Sequence, residues 1–298
     1  MGSPASAVVC CPLCGMAPSR PWIRQGPLAV VRCTICDLRI TWPRPDDTTL
    51  ARLYQSESYY EERGLGPAVK TEWPNRARGI LAELGIRPSS VLDFGAGEGH
   101  FVRALRDMGI VVEGIDPSPA AQVAARRLYG IELRRTVSPD LKGRFQLVTL
   151  IHSLEHVPDP VGTLTEVATL LEPGGVVFIE VPHAGSIELW RPSWRRRILD
   201  LPAHFHHFVP ETLTHVVERA GLRVLEIRLS NPAFLEWVLG VRARLSRAPV
   251  EADVKPADQD VAANDARQLT QTFWVRGVLP WFRKQFPGYK FQLLATKA

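Results

Sequence analysis

The sequence predicts an α/β fold in which a doubly wound parallel sheet carries helices on both faces and follows a small cysteine-rich unit. Three observations support this class. From residue 89 onward, apolar strand segments alternate with helical segments, as in sheets built from strand–helix–strand units. One strand, VLDFG, runs directly into a glycine-rich turn. All five cysteines lie within the first 36 residues.

Composition excludes several function classes. The 298 residues are 45% hydrophobic and 22% charged, with a net charge of +5, which is typical of a globular protein with a core. No apolar run approaches the roughly 18 residues that span a bilayer, and the N-terminus has no signal-peptide pattern. We therefore expect a cytoplasmic protein with no membrane partner. The 36 basic and 31 acidic residues give no nucleic-acid signature.

Residues 1–45 are predicted to form a zinc ribbon. The knuckles CPLC and CTIC have the spacing at which each pair of thiolates binds one tetrahedral ion. Gly15 and Asp37 tolerate the left-handed turn that follows such a knuckle. Clustered cysteines in a cytoplasmic chain favour a metal over disulfides or free thiols, and Cys10 fits the spacing less well than its neighbour. The predicted zinc ligands are Cys11, Cys14, Cys33 and Cys36.

Residues 46–88 are predicted to be a helical linker that covers a cofactor. The stretch TTLARLYQSESYYEERG is polar and has helical character, and a second helix is expected across Glu72–Leu84. Gly85 would end that helix, because glycine adopts the left-handed conformation at a helix C-terminus without strain.

Residues 89–298 are assigned to one domain. Its predicted strands are SVLDFG, VVEGID, IELRRT, FQLVTLI, VVFIEVP, RVLEIRLS and YKFQLLAT, with helices between them. The helix after FQLVTLI has one apolar face at helical spacing, formed by Val161, Leu164, Val167, Ala168 and Leu171. An insertion is expected at about 231–288, because 247–266 is polar and alanine-rich.

The glycine turn departs from the dinucleotide pattern G-x-G-x-x-G. Here the order is G-x-G-x-G, and His100 occupies the expected third glycine position. Asp93, two residues before Gly95, would repel a pyrophosphate. The same carboxylate would attract the sulfonium and ammonium groups of S-adenosylmethionine, by roughly 1–4 kcal/mol at about 4 Å. The turn therefore favours S-adenosylmethionine over a dinucleotide.

Asp116 is the second cofactor marker. It ends the strand that follows the glycine turn, where an acidic side chain can accept hydrogen bonds from both ribose hydroxyls of either cofactor. The alternative is a helix N-cap beside Pro117.

The motifs DFGAGEG, HSLEHV, LEPGG and FIEVP, together with Asp116, closely resemble the class I S-adenosylmethionine-dependent methyltransferases across about Ser89–Ser230. The resemblance implies a Rossmann-like, seven-stranded sheet. The ribbon and linker resemble a subgroup that modifies sugars, lipids or natural products. The cofactor contacts that the resemblance implies are Tyr60, Asp93, Gly95, Ala96, Gly97, Asp116, Pro117, His152 and Ser153.

Candidate catalytic residues follow the strand FQLVTLI, whose carboxyl end lies where open sheets of this class bind ligands. Methyl transfer is an in-line displacement, so the enzyme supplies alignment, and a base only if the acceptor must be deprotonated. His156 is the predicted base, with Glu155 beside it, and the alternative is that His156 pins the loop. The segment HFHHF resembles the wall of an acceptor pocket, and His207 is included as a catalytic candidate. Because no acidic or thiol residue accompanies these histidines in sequence, a second metal is not favoured.

The segment WRPSWRRR, residues 190–197, combines two tryptophans with four arginines. Arginines can hold phosphates and tryptophans can stack on bases or sugars, which would suit a phosphate- or carrier-linked substrate. The alternative is a solvated helix with anchoring aromatic side chains.

The predicted function is transfer of a methyl group to a small-molecule acceptor, a sugar or natural-product intermediate. One alternative is a zinc-ribbon methyltransferase of rRNA or tRNA, against which the mild charge argues. Another is a catalytically inactive cofactor-binding partner protein, which the intact glycine turn disfavours.

Overall fold

The computed structural model describes residues 10–16, 19–46, 49, 67–230 and 288–298. The predicted lid residue Tyr60 lies outside these residues, and so does nearly all of the predicted insertion. The strands are β1 (Ser19–Gln25), β2 (Leu28–Cys33), β3 (Arg39–Trp42), β4 (Ser90–Phe94), β5 (Val111–Ile115), β6 (Phe145–Ile151), β7 (Leu171–Pro182), β8 (His206–His207), β9 (Leu222–Leu229) and β10 (Lys290–Lys297). The helices are α1 (Pro67–Leu84), α2 (His100–Asp107), α3 (Pro119–Tyr129), α4 (Pro160–Leu170), α5 (Pro192–Leu199) and α6 (Pro210–Arg219).

The main sheet is mixed and contains six strands among the described residues, in the order β5-β4-β6-β7-β10-β9. Strands β5, β4, β6 and β7 pair in parallel, whereas β10 is antiparallel to both of its neighbours. The predicted parallel direction is therefore wrong for β10. The predicted strand IELRRT forms only an isolated bridge between Ile115 and Arg134. After this bridge the chain enters the short 3-10 helix Pro139–Leu141. The Arg134 guanidinium donates a hydrogen bond to the Asp140 carboxylate in this helix.

The helix ends follow local capping chemistry. Helix α3 begins after Ser118, whose hydroxyl accepts a hydrogen bond from the N–H of Ala121, so the cap is Ser118 and not Asp116. Helix α1 begins at Pro67, earlier than predicted, and ends before Gly85 as predicted, with a glycine φ of 65°.

Two apolar layers enclose the sheet. One face packs against α4 and α6. The predicted buried face of α4 is confirmed for Leu164 and Val167, whereas Val161 and Ala168 are only partly buried and Leu171 already lies in β7. The other face packs against α1, α2 and α3. Burial of a leucine or valine side chain contributes about 1.5–3 kcal/mol, so these layers hold the carboxyl ends of the parallel strands together at one edge.

The cysteine-rich unit shares a sheet with the larger body. Strands β1, β2, β3 and β8 form a four-stranded antiparallel sheet, in which Ile40 pairs with His206 and Arg39 with His207. Leu13 and Leu38 of the unit also lie in the same apolar core as Phe208. The short strand β8, within HFHHF, therefore belongs to both parts of the molecule.

The helices of the described residues include none that is both long and apolar enough to cross a membrane.

Candidate active site

The glycine turn lies against the loop that follows β6. The N–H groups of Gly95 and Ala96 both donate to the carbonyl of Ile115, which closes the turn onto β5. Gly95 has a φ of 81°, and a Cβ at this position would lie 2.4 Å from the Cβ of Ser153. Only glycine fits this position, because both the backbone conformation and the neighbouring loop exclude a side chain. Two segments that the sequence analysis assigned to the cofactor are thus in contact.

Two buried carboxylates flank the turn. Asp93 is 3% exposed and accepts a hydrogen bond of 2.7 Å from the hydroxyl of Thr149. Burial raises the pKa of Asp93 to about 7, and the nearby Asp116 adds to the rise. Asp116 accepts from the N–H groups of Gly97 and Ser118, at 2.8 and 2.9 Å. Burial raises the pKa of Asp116 against these two donors. Paired buried carboxylates favour a cationic ligand.

His152 adopts a strained backbone at the end of β6. Its φ of 53° is rare for a residue with a Cβ, and such strain concentrates at functional sites. Its ring nitrogens lie 3.4 Å from Oε1 of Glu155 and 3.3 Å from Oε1 of Glu180. Burial would lower the pKa of His152, but these two carboxylates raise it above its ordinary value.

Glu180, which sequence reasoning missed, is the centre of an ionic cluster. It is 1% exposed and bonds to Arg76 from α1, to Lys290 at 3.2 Å and to Gln292 at 2.9 Å. Burial alone would raise its pKa, but the His152 hydrogen bond and the two cations hold that pKa well below its ordinary range. The lone acid in the apolar strand FIEVP was a usable signal, since a buried charge requires partners.

His156 is anchored within the site. Its Nδ1 donates to the carbonyl of Ala203 over 3.1 Å, and its ring meets that of His204 edge-on at 4.7 Å. Burial and the neighbouring His204 lower the pKa of His156 to about 4. The imidazole is therefore neutral at physiological pH and able to accept a proton, although a base of such low pKa is weaker than one poised near 7.

The histidines of HFHHF have different neighbours. His204 lies near two carboxylates. Its Nε2 is 3.9 Å from Oε1 of Glu155 and 3.7 Å from Oδ2 of Asp200. The expectation that no acid accompanies these histidines is therefore wrong, because Asp200 lies only four residues before His204 and chain folding brings in Glu155 from the loop after β6. His207 is 3% exposed, and its Nε2 lies 2.9 Å from the hydroxyl of Thr41 in β3. That contact favours a structural role for His207.

The four predicted zinc ligands lie together. All four sulfur atoms are within 4.8 Å of one another, with Cys11–Cys36 and Cys14–Cys33 separations of 3.4 and 3.6 Å. Four sulfurs bound to one tetrahedral zinc at about 2.3 Å would be about 3.8 Å apart, whereas a disulfide would require about 2.0 Å. Gly15 and Asp37 adopt the predicted left-handed conformation, with φ of 72° and 66°. Cys10 is exposed and lies outside the group.

The tryptophan and arginine segment has one anchored and one exposed aromatic side chain. The ring centroid of Trp194 lies 5.1 Å from that of Tyr289, and the guanidinium of Arg197 lies 5.7 Å from the Trp194 ring. Trp190 is 82% exposed and lines a shallow cavity with Ile187 and Arg191. Helix α5 is thus attached to the body through Trp194 and the buried Ile198 and Leu199, while Trp190, in the preceding 3-10 helix, faces solvent.

Comparison with known proteins defines the class. A family model described as a methyltransferase domain matches residues 70–227, more than half of the chain, and the protein belongs to this family. A ubiquinone biosynthesis O-methyltransferase of Pseudomonas aeruginosa is 30% identical over 170 residues, which cover 52% of this chain and 73% of that protein. The chain is an S-adenosylmethionine-dependent methyltransferase.

Solved structures show the same Rossmann-like fold. Phosphoethanolamine N-methyltransferase 2 of Haemonchus contortus aligns with a TM-score of 0.52 at 17% identity, covering 87% of this chain and 62% of that one. An S-adenosylmethionine-dependent methyltransferase of Thermotoga maritima aligns with a TM-score of 0.51 at 15% identity, covering 83% and 99%. At such identities the likeness concerns the fold alone.

Proposed function

We propose that this enzyme methylates a hydroxyl oxygen of a small-molecule acceptor, a sugar or natural-product intermediate. The observation that carries the proposal is the group of His152, Glu155, His156 and His204 at the loop that contacts the glycine turn. Relatives named O-methyltransferases support oxygen as the acceptor atom. A hydroxyl acceptor must lose a proton during methyl transfer, and a neutral imidazole can accept that proton.

The residues at the glycine turn fit S-adenosylmethionine. The two buried carboxylates, Asp93 and Asp116, suit a ligand that carries a sulfonium and an ammonium group. The Ser153 hydroxyl is buried and has no hydrogen-bond partner in the described structure, so it has a polar atom to offer a ligand. Bound there, the cofactor supplies an activated methyl group. The proposed cofactor contacts are Asp93, Gly95, Ala96, Gly97, Asp116, Pro117, His152 and Ser153, with Tyr60 from the linker.

The protein's own residues would then orient the acceptor and receive its proton. His156 is held by the Ala203 carbonyl, so in its neutral ring the proton lies on Nδ1 and the lone pair on Nε2. The buried carboxylate of Glu155 favours a positive charge on a neighbouring imidazole once the proton has been taken up. His207 supports the pocket wall through Thr41.

We also propose that the cysteine group holds one zinc ion. Four thiolates close the tetrahedral shell and leave no position for substrate, so the role of this ion is structural. It would hold β3 in place, and β3 pairs with the histidine strand β8.

The proposal is tested by replacing His156 with glutamine, whose amide can still donate to the Ala203 carbonyl. We expect S-adenosylmethionine affinity and thermal stability to persist, while turnover of hydroxyl acceptors falls at least about 100-fold. The matched control is His183→Gln, because burial lowers the pKa of His183 to about 4, as it does for His156, while His183 lies outside the group. Turnover is measured as S-adenosylhomocysteine formed from small-molecule and RNA acceptors. Near-wild-type turnover in His156→Gln would remove the base role, and methylation of RNA alone would overturn the acceptor class.

A further inference from the structure

Glu155, His156 and His204 form a second group of metal-ligand side chains, distinct from the cysteines. One donor atom from each residue lies within 4.8 Å of the other two. Glu155 and His204 are buried, whereas His156 is partly exposed, so the group lies at a wall of the site. Two imidazoles and one carboxylate are a donor set that divalent first-row metal ions accept.

The histidine rings are oriented as metal ligands are. Nδ1 of His204 donates to the carbonyl of Ile198 at 3.0 Å, so the lone pair of the neutral ring is on Nε2. That Nε2 is the atom 3.9 Å from Oε1 of Glu155. Nδ1 of His156 likewise donates to the carbonyl of Ala203. Metal-binding histidines almost always donate their second ring N–H to such a group, which fixes the tautomer.

The carboxylate of Glu155 has an oxygen atom that could still accept a hydrogen bond or bind a cation. The residue is 1% exposed, and its Oε2 is buried with no hydrogen-bond partner in the described structure. A buried oxygen of a charged group that lacks a hydrogen-bond partner destabilises the folded state. Its other oxygen, Oε1, has only a 3.4 Å contact with His152 and the longer approach to His204. A bound cation would satisfy this carboxylate.

We propose that Glu155, His156 and His204 bind a divalent transition-metal ion with at least one open coordination position. Ligands at about 2.1 Å in tetrahedral geometry are about 3.4 Å apart, so the His204–Glu155 pair would close by about 0.5 Å. Three protein ligands leave room for a water molecule or an acceptor oxygen. The ion and the acceptor's proton would use the same lone pair on Nε2 of His156, so the metal-bound form cannot use His156 as its base; there the cation itself would favour loss of the proton from a coordinated hydroxyl. This contact with an acceptor oxygen rests on the proposed function, whereas ion binding does not.

Cobalt titration of the full-length, metal-stripped protein tests the site without cofactor or acceptor. We expect wild type to bind two Co²⁺ ions per chain. One, at the cysteines, gives thiolate-to-cobalt charge-transfer absorption, and the other, at nitrogen and oxygen ligands, does not. His204→Gln and Glu155→Gln should each lose the second ion and keep the charge-transfer band. His183→Gln, the buried histidine outside the group, should keep both ions.

Binding of a single cobalt ion by wild type at saturation, at the cysteines only, would overturn the proposal. So would two ions that persist in both ligand variants. These outcomes are separate from the proposed methyl transfer, because turnover of a hydroxyl acceptor by a protein with a single ion would refute the metal site and leave the function standing. Loss of acceptor turnover in a variant that binds both ions would affect only the function.

Discussion

Substitution of Gly95 by alanine tests the contact between the glycine turn and the loop after β6. The backbone φ of 81° imposes a left-handed conformation, which costs an alanine about 1–2 kcal/mol. The added Cβ would also lie 2.4 Å from the Cβ of Ser153, so the loop would have to retreat by about 1 Å. Overpacking of this kind typically costs about 1–3 kcal/mol more. We therefore expect Gly95→Ala to lose roughly 2–5 kcal/mol of unfolding free energy.

Three further variants, Gly130→Ala, Ser153→Gly and the double variant of Gly95 and Ser153, separate the strain from the clash. Gly130 has a φ of 64° and open space around its Cβ position, so Gly130→Ala should lose only about 1–2 kcal/mol. Replacing Ser153 by glycine removes the two atoms nearest to the new methyl group and leaves the Cα at 3.7 Å, an ordinary contact. The double variant Gly95→Ala with Ser153→Gly should therefore recover most of the clash energy, a coupling of about 1–3 kcal/mol.

Urea unfolding of the four variants and wild type measures these differences, and calorimetry with S-adenosylmethionine measures affinity. We expect Gly95→Ala to weaken cofactor binding and Gly130→Ala to leave it unchanged. Equal stability losses in Gly95→Ala and Gly130→Ala, or strict additivity in the double variant, would refute the close approach of the two segments.

Three other predictions follow from the site. Because burial raises the pKa of Asp93 to about 7, against about 4 in the unfolded chain, the cofactor-free protein should lose stability as pH rises between these values. Asp93→Asn should flatten that profile in urea unfolding. Removal of the proposed zinc ion by a chelator should lower the melting temperature, and the protein should still unfold in a single transition. Cys33→Ser should lower the melting temperature as well, whereas Cys10→Ser should not. Separate unfolding of the cysteine-rich unit would contradict the shared sheet. Thr41→Val removes the hydroxyl bonded to the His204 carbonyl and should raise the acceptor KM without changing cofactor affinity, as steady-state kinetics and calorimetry would show.

The sequence predicted those parts of the fold that local pattern determines. Helical periodicity identified the buried stripe of α4, and the glycine spacing identified the turn at Gly95. The direction of β10 was missed, because 60 residues separate Ser230 from Lys290 and no local pattern specifies how a strand returns after so long a segment. The segment IELRRT was predicted as a strand but forms only one bridge, because strand propensity does not determine whether a segment finds a neighbouring strand to pair with.

The candidate site was predicted where its residues are adjacent in sequence and missed where folding brings them together. Glu155 and His156 follow the strand end directly. His204 is about 50 residues away, and its approach to Glu155 depends on tertiary packing. Arg76 reaches Glu180 from α1 in the same way. Contacts of this kind arise from packing between elements and leave no spacing signature.

The pairing of β3 with β8 has a consequence for shortened forms of the protein. A chain that began after Trp42 would retain the methyltransferase body but leave β8 without a hydrogen-bonding neighbour. It would also uncover Phe208, which is fully buried beside Leu38 and Leu13. An open strand edge beside exposed apolar surface is a template for intermolecular pairing. The cysteine-rich unit therefore covers this strand edge, and its removal should cause the protein to self-associate.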